Sequence, residues 1–143
     1  MSALPPQDPL PDLDLLARLA CQTTGTAAAL LVEWTLPTPT VLGSHGLSGV
    51  QRHRVLDFCL RAGPSPEREI CVEDVKAHAA LRDHPLGADP GPLRFLQSLS
   101  LPMDEREAAA SLILLEPKTR DRVEATGAVR SLLAVAALSL IHI

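Results

Sequence analysis

Aromatic residues are nearly absent from this 143-residue chain: Trp34, Phe58 and Phe95 are the whole set. A large planar cofactor needs aromatic walls to stack on, so this shortage argues against one. Cysteine is scarce as well. Cys21, Cys59 and Cys71 are odd in number, widely spaced and without a Cys-x-x-Cys pair, which speaks against a disulfide framework or a structural zinc site. They read as free thiols of a reducing compartment, which implies a cytoplasmic location. Basic residues do not exceed acidic ones. The net charge is −4, and no basic patch of the kind that grips a phosphate backbone is present, so a nucleic-acid partner is not expected. The longest apolar stretch, Ser131 to Ile143, is too short to span a bilayer. The N-terminus carries acid and proline where a secretory signal would carry base and an apolar run.

What is present fits one domain. Prolines at 5, 6, 9 and 11 mark residues 1–11 as a tail or linker, and residues 12–143 are expected to form one folded unit. Asp12 is placed to cap a helix whose apolar face is Leu13, Leu16, Leu19 and Ala20, and Gly25 is placed to end it. Ala27–Trp34 and Thr40–Ser44 read as two strands. Val50–Ala62 reads as a helix turning Val55, Phe58 and Cys59 inward, stopped by Gly63-Pro64. A third strand is expected at Glu69–Val72, a short helix or turn at Asp74–Leu81, and a long loop at Arg82–Pro92. Two further strands fall within Leu93–Leu101 and Ala109–Leu115, joined by a charged tip at Pro102–Glu107, and a last helix is expected from Thr119 onward. The pattern predicts an α+β fold, with a central antiparallel sheet of five to six strands flanked by N- and C-terminal helices.

Phe58-Cys59, Ile70-Cys71-Val72-Glu73-Asp74-Val75, Ala79 to Leu86 with His84-Pro85-Leu86, and Leu93-Arg94-Phe95 together resemble bacterial GAF domains. The match is to the short subtype attached to sensor histidine kinases and diguanylate cyclases. The likeness covers roughly residues 12–140 and is sharpest over 58–102. It implies a GAF/PAS-like fold and a non-catalytic sensory or regulatory role in bacterial signal transduction, with a kinase or cyclase as effector. It also implies a small-molecule site between the sheet and residues 74–95. Two departures stand out: Ala108 to Glu116 stands where the family has a strand that follows a glycine-rich hairpin and reads like Gly-x-Leu-Cys-Val-x-Asp, and Leu96 replaces the aromatic after Arg-Phe. Both point to a smaller, greasier or filled pocket.

The candidate ligand-binding residues are Phe58, Asp74, Arg94 and Phe95. Arg94 is a planar cation that can grip a carboxylate or phosphate through two parallel hydrogen bonds. It can equally tie down the loop by pairing with Asp74, Asp83 or loop carbonyls. His45, His53, His78 and His84 show no i, i+4 pair, so neither a metal site nor any other cofactor is expected. Neither Cys59 nor Cys71 is followed by histidine, as covalent bilin attachment would want. Val72-Glu73-Asp74-Val75 is similar to a segment of GAF proteins that reduce free methionine sulfoxide. Residues 76–143, however, hold no cysteine to complete such a thiol site, so no enzymatic activity is expected. In the last helix Ala125, Val129, Leu132, Ala136, Leu140 and Ile143 form one stripe, and Leu133, Val135, Leu138 and Ile141 make the other faces apolar too. A helix greasy all round must be covered twice. That suggests a homodimer interface through Leu132, Leu133, Ala136 and Leu140, or folding back on the Leu13–Leu16–Leu19 helix. A degenerate GAF domain acting only as a dimerisation or docking module is the alternative to a ligand sensor.

Overall fold

In a computed structural model, the described residues are 12–35, 38–62, 65, 68–104 and 108–141, without the side chain of Ile141. The proline-rich segment 1–11, the helix stop at Gly63-Pro64, residues 105–107 of the charged tip, and Ile143 lie outside them.

Helix α1 spans Leu13–Thr24. Asp12 caps it, its carboxylate accepting the Leu15 N–H at 3.1 Å. Gly25 ends it in the left-handed region at φ 74°, donating its N–H to the Cys21 carbonyl at 2.8 Å. The buried stripe is Ala17, Ala20 and Cys21, with Leu13 and Leu16 packed alongside. Leu19, expected on that face, is 39% exposed. The small residues at 17 and 20 let the helix lie close to the sheet, which rotates Leu19 outward with Leu15.

Strands β1 (Ala28–Glu33), β2 (Thr40–His45), β3 (Cys71–Val72), β4 (Phe95–Ser100) and β5 (Ala110–Glu116) form one antiparallel sheet in the order β2-β1-β5-β4-β3. β1 and β5, at the centre, are buried on both faces and are correspondingly almost wholly apolar. The edge strand β2 is covered by α1. Asp14 accepts the Ser44 N–H at 2.9 Å, and Gly43 lies so near the Leu13 carbonyl that any side chain there would collide with it. The sheet divides the interior in two. Ala29, Leu31, Phe95, Leu99, Leu112 and Leu114 face α1 and helix α3 (Gly127–Ile141). Leu30, Val32, Leu96, Ile113 and Leu115 face helix α2 (Gly49–Ala62) and the 74–95 loop. The period-two alternation of strand side chains assigns each to its layer.

The last helix begins at Gly127, not at the expected Thr119. Residues 119–126 instead run as a strap across the β3–β4 corner, because tertiary partners take the groups a helix would use. The Gln97 side-chain amide accepts the Val123 N–H at 2.7 Å and donates to the Val123 carbonyl at 3.2 Å. Arg120 donates to the carbonyls of Thr24 and Gly25 at the end of α1 and lies 5.4 Å from the Phe95 ring centre. Thr126 then caps α3, its hydroxyl accepting the Val129 N–H at 3.2 Å. Among the described residues, no helix is long and apolar enough to cross a membrane.

Candidate functional site

The 74–95 segment opens at Asp74, just after β3. Its carboxylate caps a 3-10 turn at Val75–Ala77, accepting the Lys76 N–H at 3.0 Å. The same carboxylate takes both prongs of Arg94: Nε donates to Oδ1 at 2.8 Å and Nη2 to Oδ2 at 2.9 Å. The Val75 N–H closes the ring by donating to the Arg94 carbonyl at 2.6 Å. Arg94 thus holds the start and end of the loop together, and its two-pronged grip is committed within the chain. The hydrogen bond from Arg94, the largest influence, holds the Asp74 carboxyl below its ordinary range.

α2 fastens the rest of the loop. Arg54 donates to the carbonyls of Ala88, Asp89 and Pro90, and the Gln51 side-chain amide donates to that of Gly91 at 2.9 Å. His84 is 8% exposed, and its Nδ1 accepts the Leu86 N–H at 2.9 Å. Nε2 therefore carries the proton and donates to Asp57 Oδ2 at 2.7 Å. Asp57 also pairs with Arg61 at 3.1 Å. Its carboxyl is held below the usual range chiefly by the His84 bond, which outweighs the opposing effect of burial, with Arg61 adding to it. Sequence reasoning missed Asp57, His84, Arg54 and Gln97 as fastening residues. Only His84, directly before Pro85 at a turn start, carried a local signal.

The four candidate ligand residues do not converge. Asp74 and Arg94 meet each other. Phe58 lies in the layer beneath the loop, edge-on to His78 and His84 at ring-centre distances of 5.9 and 5.2 Å. Phe95 lies on the opposite face of the sheet and faces the α1–α3 layer, so one pocket cannot hold both rings. The space between sheet, α2 and loop is occupied by Phe58, Val75, Leu86, Leu93 and Leu96, each 3% exposed or less. Outside this packing an open recess of 360 Å³ runs past Lys76, Gly87, Asp89 and Arg94.

Leu133, Ala136 and Leu140, spaced for an interface, are buried within the chain's own α1–α3 layer, and Leu132 is half-buried. The outer face of that layer instead presents Leu15 and Leu19 of α1 and Val135 and Leu138 of α3. Burial pushes all three thiols up, Cys59 to about 12, the reverse of what a nucleophilic thiolate requires. Among the described residues, no group of three or more His, Cys, Asp or Glu is placed to hold a metal ion.

No protein-family model matches the chain, and no curated protein matches its sequence. Solved structures do match in shape. A domain of a protein assigned as a two-component sensor histidine kinase from Sinorhizobium meliloti superposes with a TM-score of 0.63 at 15% identity, over 89% of this chain and 87% of that one. The GAF domain of an Acinetobacter phosphoenolpyruvate-protein phosphotransferase gives 0.60 at 13%, over 91% and 80%. A GAF domain/HD domain protein from Geobacter sulfurreducens gives 0.56 at 17%, over 94% and 96%. At these identities the shared property is the fold. The five-stranded antiparallel sheet between terminal helices and a fastened loop is a GAF-like fold.

Proposed function

We propose that this chain is a non-catalytic regulatory module of signal transduction whose usual GAF ligand space is filled by its own side chains. In this reading it acts in the cytoplasm as a homodimer that passes a signal through α1 and α3 to an effector such as a kinase or cyclase. The observation that carries the reading is the packing of Phe58, Val75, Leu86, Leu93 and Leu96 between sheet and loop. With Arg94 turned on Asp74, the loop is built as a closed cover. Among the described residues, the terminal helices carry four of the exposed large apolar side chains: Leu15 at 47%, Leu19 at 39%, Val135 at 51% and Leu138 at 60% exposure, the others being Val41, Val50 and Leu60.

Half-exposed side chains of this size gain about 1 kcal/mol each on full burial, so two copies of this face gain about 8 kcal/mol gross. Association costs about 4–15 kcal/mol, which makes the expected dimer weak. Light scattering on a size-exclusion column should show a mass rising toward twice the chain mass across tens of micromolar. Val135→Asp and Leu138→Asp should hold it at one chain mass with the sheet intact. A wild-type monomer throughout that range overturns the dimer.

A second reading, a sensor of a small and partly anionic molecule, draws on the recess beside Lys76 and Arg94. It predicts that Asp74→Asn, which frees the Arg94 fork, changes affinity for inorganic phosphate or acetate. The filled-space reading predicts no saturable binding of either probe.

A further inference from the structure

The strap of residues 119–126 does more than link β5 to α3. It roofs a cavity of 180 Å³ at the β3–β4 corner, across the sheet from the filled space under the loop. The walls combine three chemistries. Leu99 and Val123 are apolar, Arg122 brings a guanidinium, and Glu69 and Glu124 bring carboxylates. Within the described residues Arg122 forms no salt bridge; its side chain hydrogen-bonds the Cys71 thiol, a neutral partner that an incoming carboxylate can replace. One Glu69 oxygen accepts the Ser100 N–H at 2.8 Å, which holds the carboxylate beside the cavity.

We infer that this cavity is a binding site for a small zwitterion of the α-amino-acid class, the carboxylate meeting Arg122, the ammonium meeting Glu124 and Glu69, and an aliphatic side chain lying against Leu99 and Val123. Charge decides between ligand classes. A plain anion would meet two carboxylates, a plain amine would meet Arg122, and a neutral apolar molecule would strip water from all three charges without replacing it. Size points the same way. Drug-sized ligands occupy pockets of roughly 300–1,000 Å³, so this one suits a smaller molecule.

The site is coupled to the helix that leaves it. Val123 forms part of the cavity wall and is also the residue whose N–H and C=O are both held by Gln97. Three residues later Thr126 caps α3. An occupant pressing on Val123 strains the Gln97 pair and with it the start of α3. This inference is independent of the dimer proposed above and of the state of the loop-side space.

The probes are L-valine, L-leucine and glycine, with isobutylamine and isovalerate as valine stripped of one charge each. Two readouts on the full chain locate binding: proton–nitrogen NMR shifts at the Gln97 side-chain amide and the Val123 N–H, and protection of Cys71 from iodoacetamide. Cys71 lines the cavity and is the half-exposed thiol, while Cys21 and Cys59 are buried. Saturable millimolar binding of L-valine or L-leucine is expected at both readouts. Each stripped analogue, and the Arg122→Gln protein, should bind about tenfold or more weakly, as for loss of a charge-assisted contact. Arg122 is exposed, and a preserved NMR spectrum will show that its replacement leaves the fold intact. No saturable shift with any amino acid, isovalerate or isobutylamine binding as well as valine, or undiminished binding by Arg122→Gln would each overturn the inference.

Discussion

Phe58→Ala tests whether the space beneath the 74–95 loop is filled. Phe58 is fully buried and touches His78 and His84 edge-on. Truncating a buried Phe removes its transfer free energy and leaves a cavity, together about 3–5 kcal/mol. A domain of this size holds about 5–15 kcal/mol in total, so the variant should fold but be severely weakened. With a urea slope of roughly 2 kcal/mol per molar, the midpoint should fall by about 2 M while the slope stays unchanged. The milder Phe58→Leu should fall between the two. The new void would be lined by Val55, Leu86, Leu96 and their neighbours, and apolar cavities of this kind take up small apolar molecules. Indole should therefore raise the midpoint of Phe58→Ala and leave wild type unmoved. A loss below about 1 kcal/mol, or stabilisation of the wild type by indole, would refute the filled-space reasoning, since either means that an opening already exists there.

Two further outcomes follow from the titrating groups. The Asp57 carboxyl is held below its ordinary value of 3.8, so its stabilising contribution is fully present above that pH and is lost as pH falls through the lower folded-state value. Asp57→Asn should flatten the acid limb of a stability–pH curve below about pH 4. The effect should be less than about 1 kcal/mol because the side chain is 40% exposed, and an unchanged acid limb would remove the Asp57–His84 tie as its source. Cys59, pushed up to about 12, carries almost no thiolate at pH 8. Iodoacetamide should add one adduct to the native chain, at Cys71, and three in urea; comparable native labelling of Cys59 would contradict its burial.

The readings that followed from local chemistry agree with the structure. The Asp12 cap and Gly25 stop of α1 act within one turn of chain, so residue type alone suffices. The inward set Val55, Phe58 and Cys59 repeats at helical spacing, and the strands are short apolar runs between breakers. The start of α3 differs from the expected Thr119 because residues 119–126, mostly charged or polar, carry no local signal that separates a helix from a strap. The Gln97 amide, 26 residues away, is what claims the Val123 backbone.

Which groups share a site was decided only by the tertiary structure. Phe58 and Phe95 belong to the two sides of one sheet, and neighbouring sequence motifs cannot reveal on which face of a pleat each will fall until the register Phe95↔Glu116 is set. Arg94 as a candidate anchor and Arg94 as a loop clasp have identical local sequence. The choice rests on the 20-residue loop that returns it to Asp74. The sequence by itself determined which elements form and their order, because those depend on contacts a few residues apart. The packed interior decided that Leu133, Ala136 and Leu140 face inward and Val135 and Leu138 outward, because a helix that is apolar all round takes its orientation from the surface it packs against.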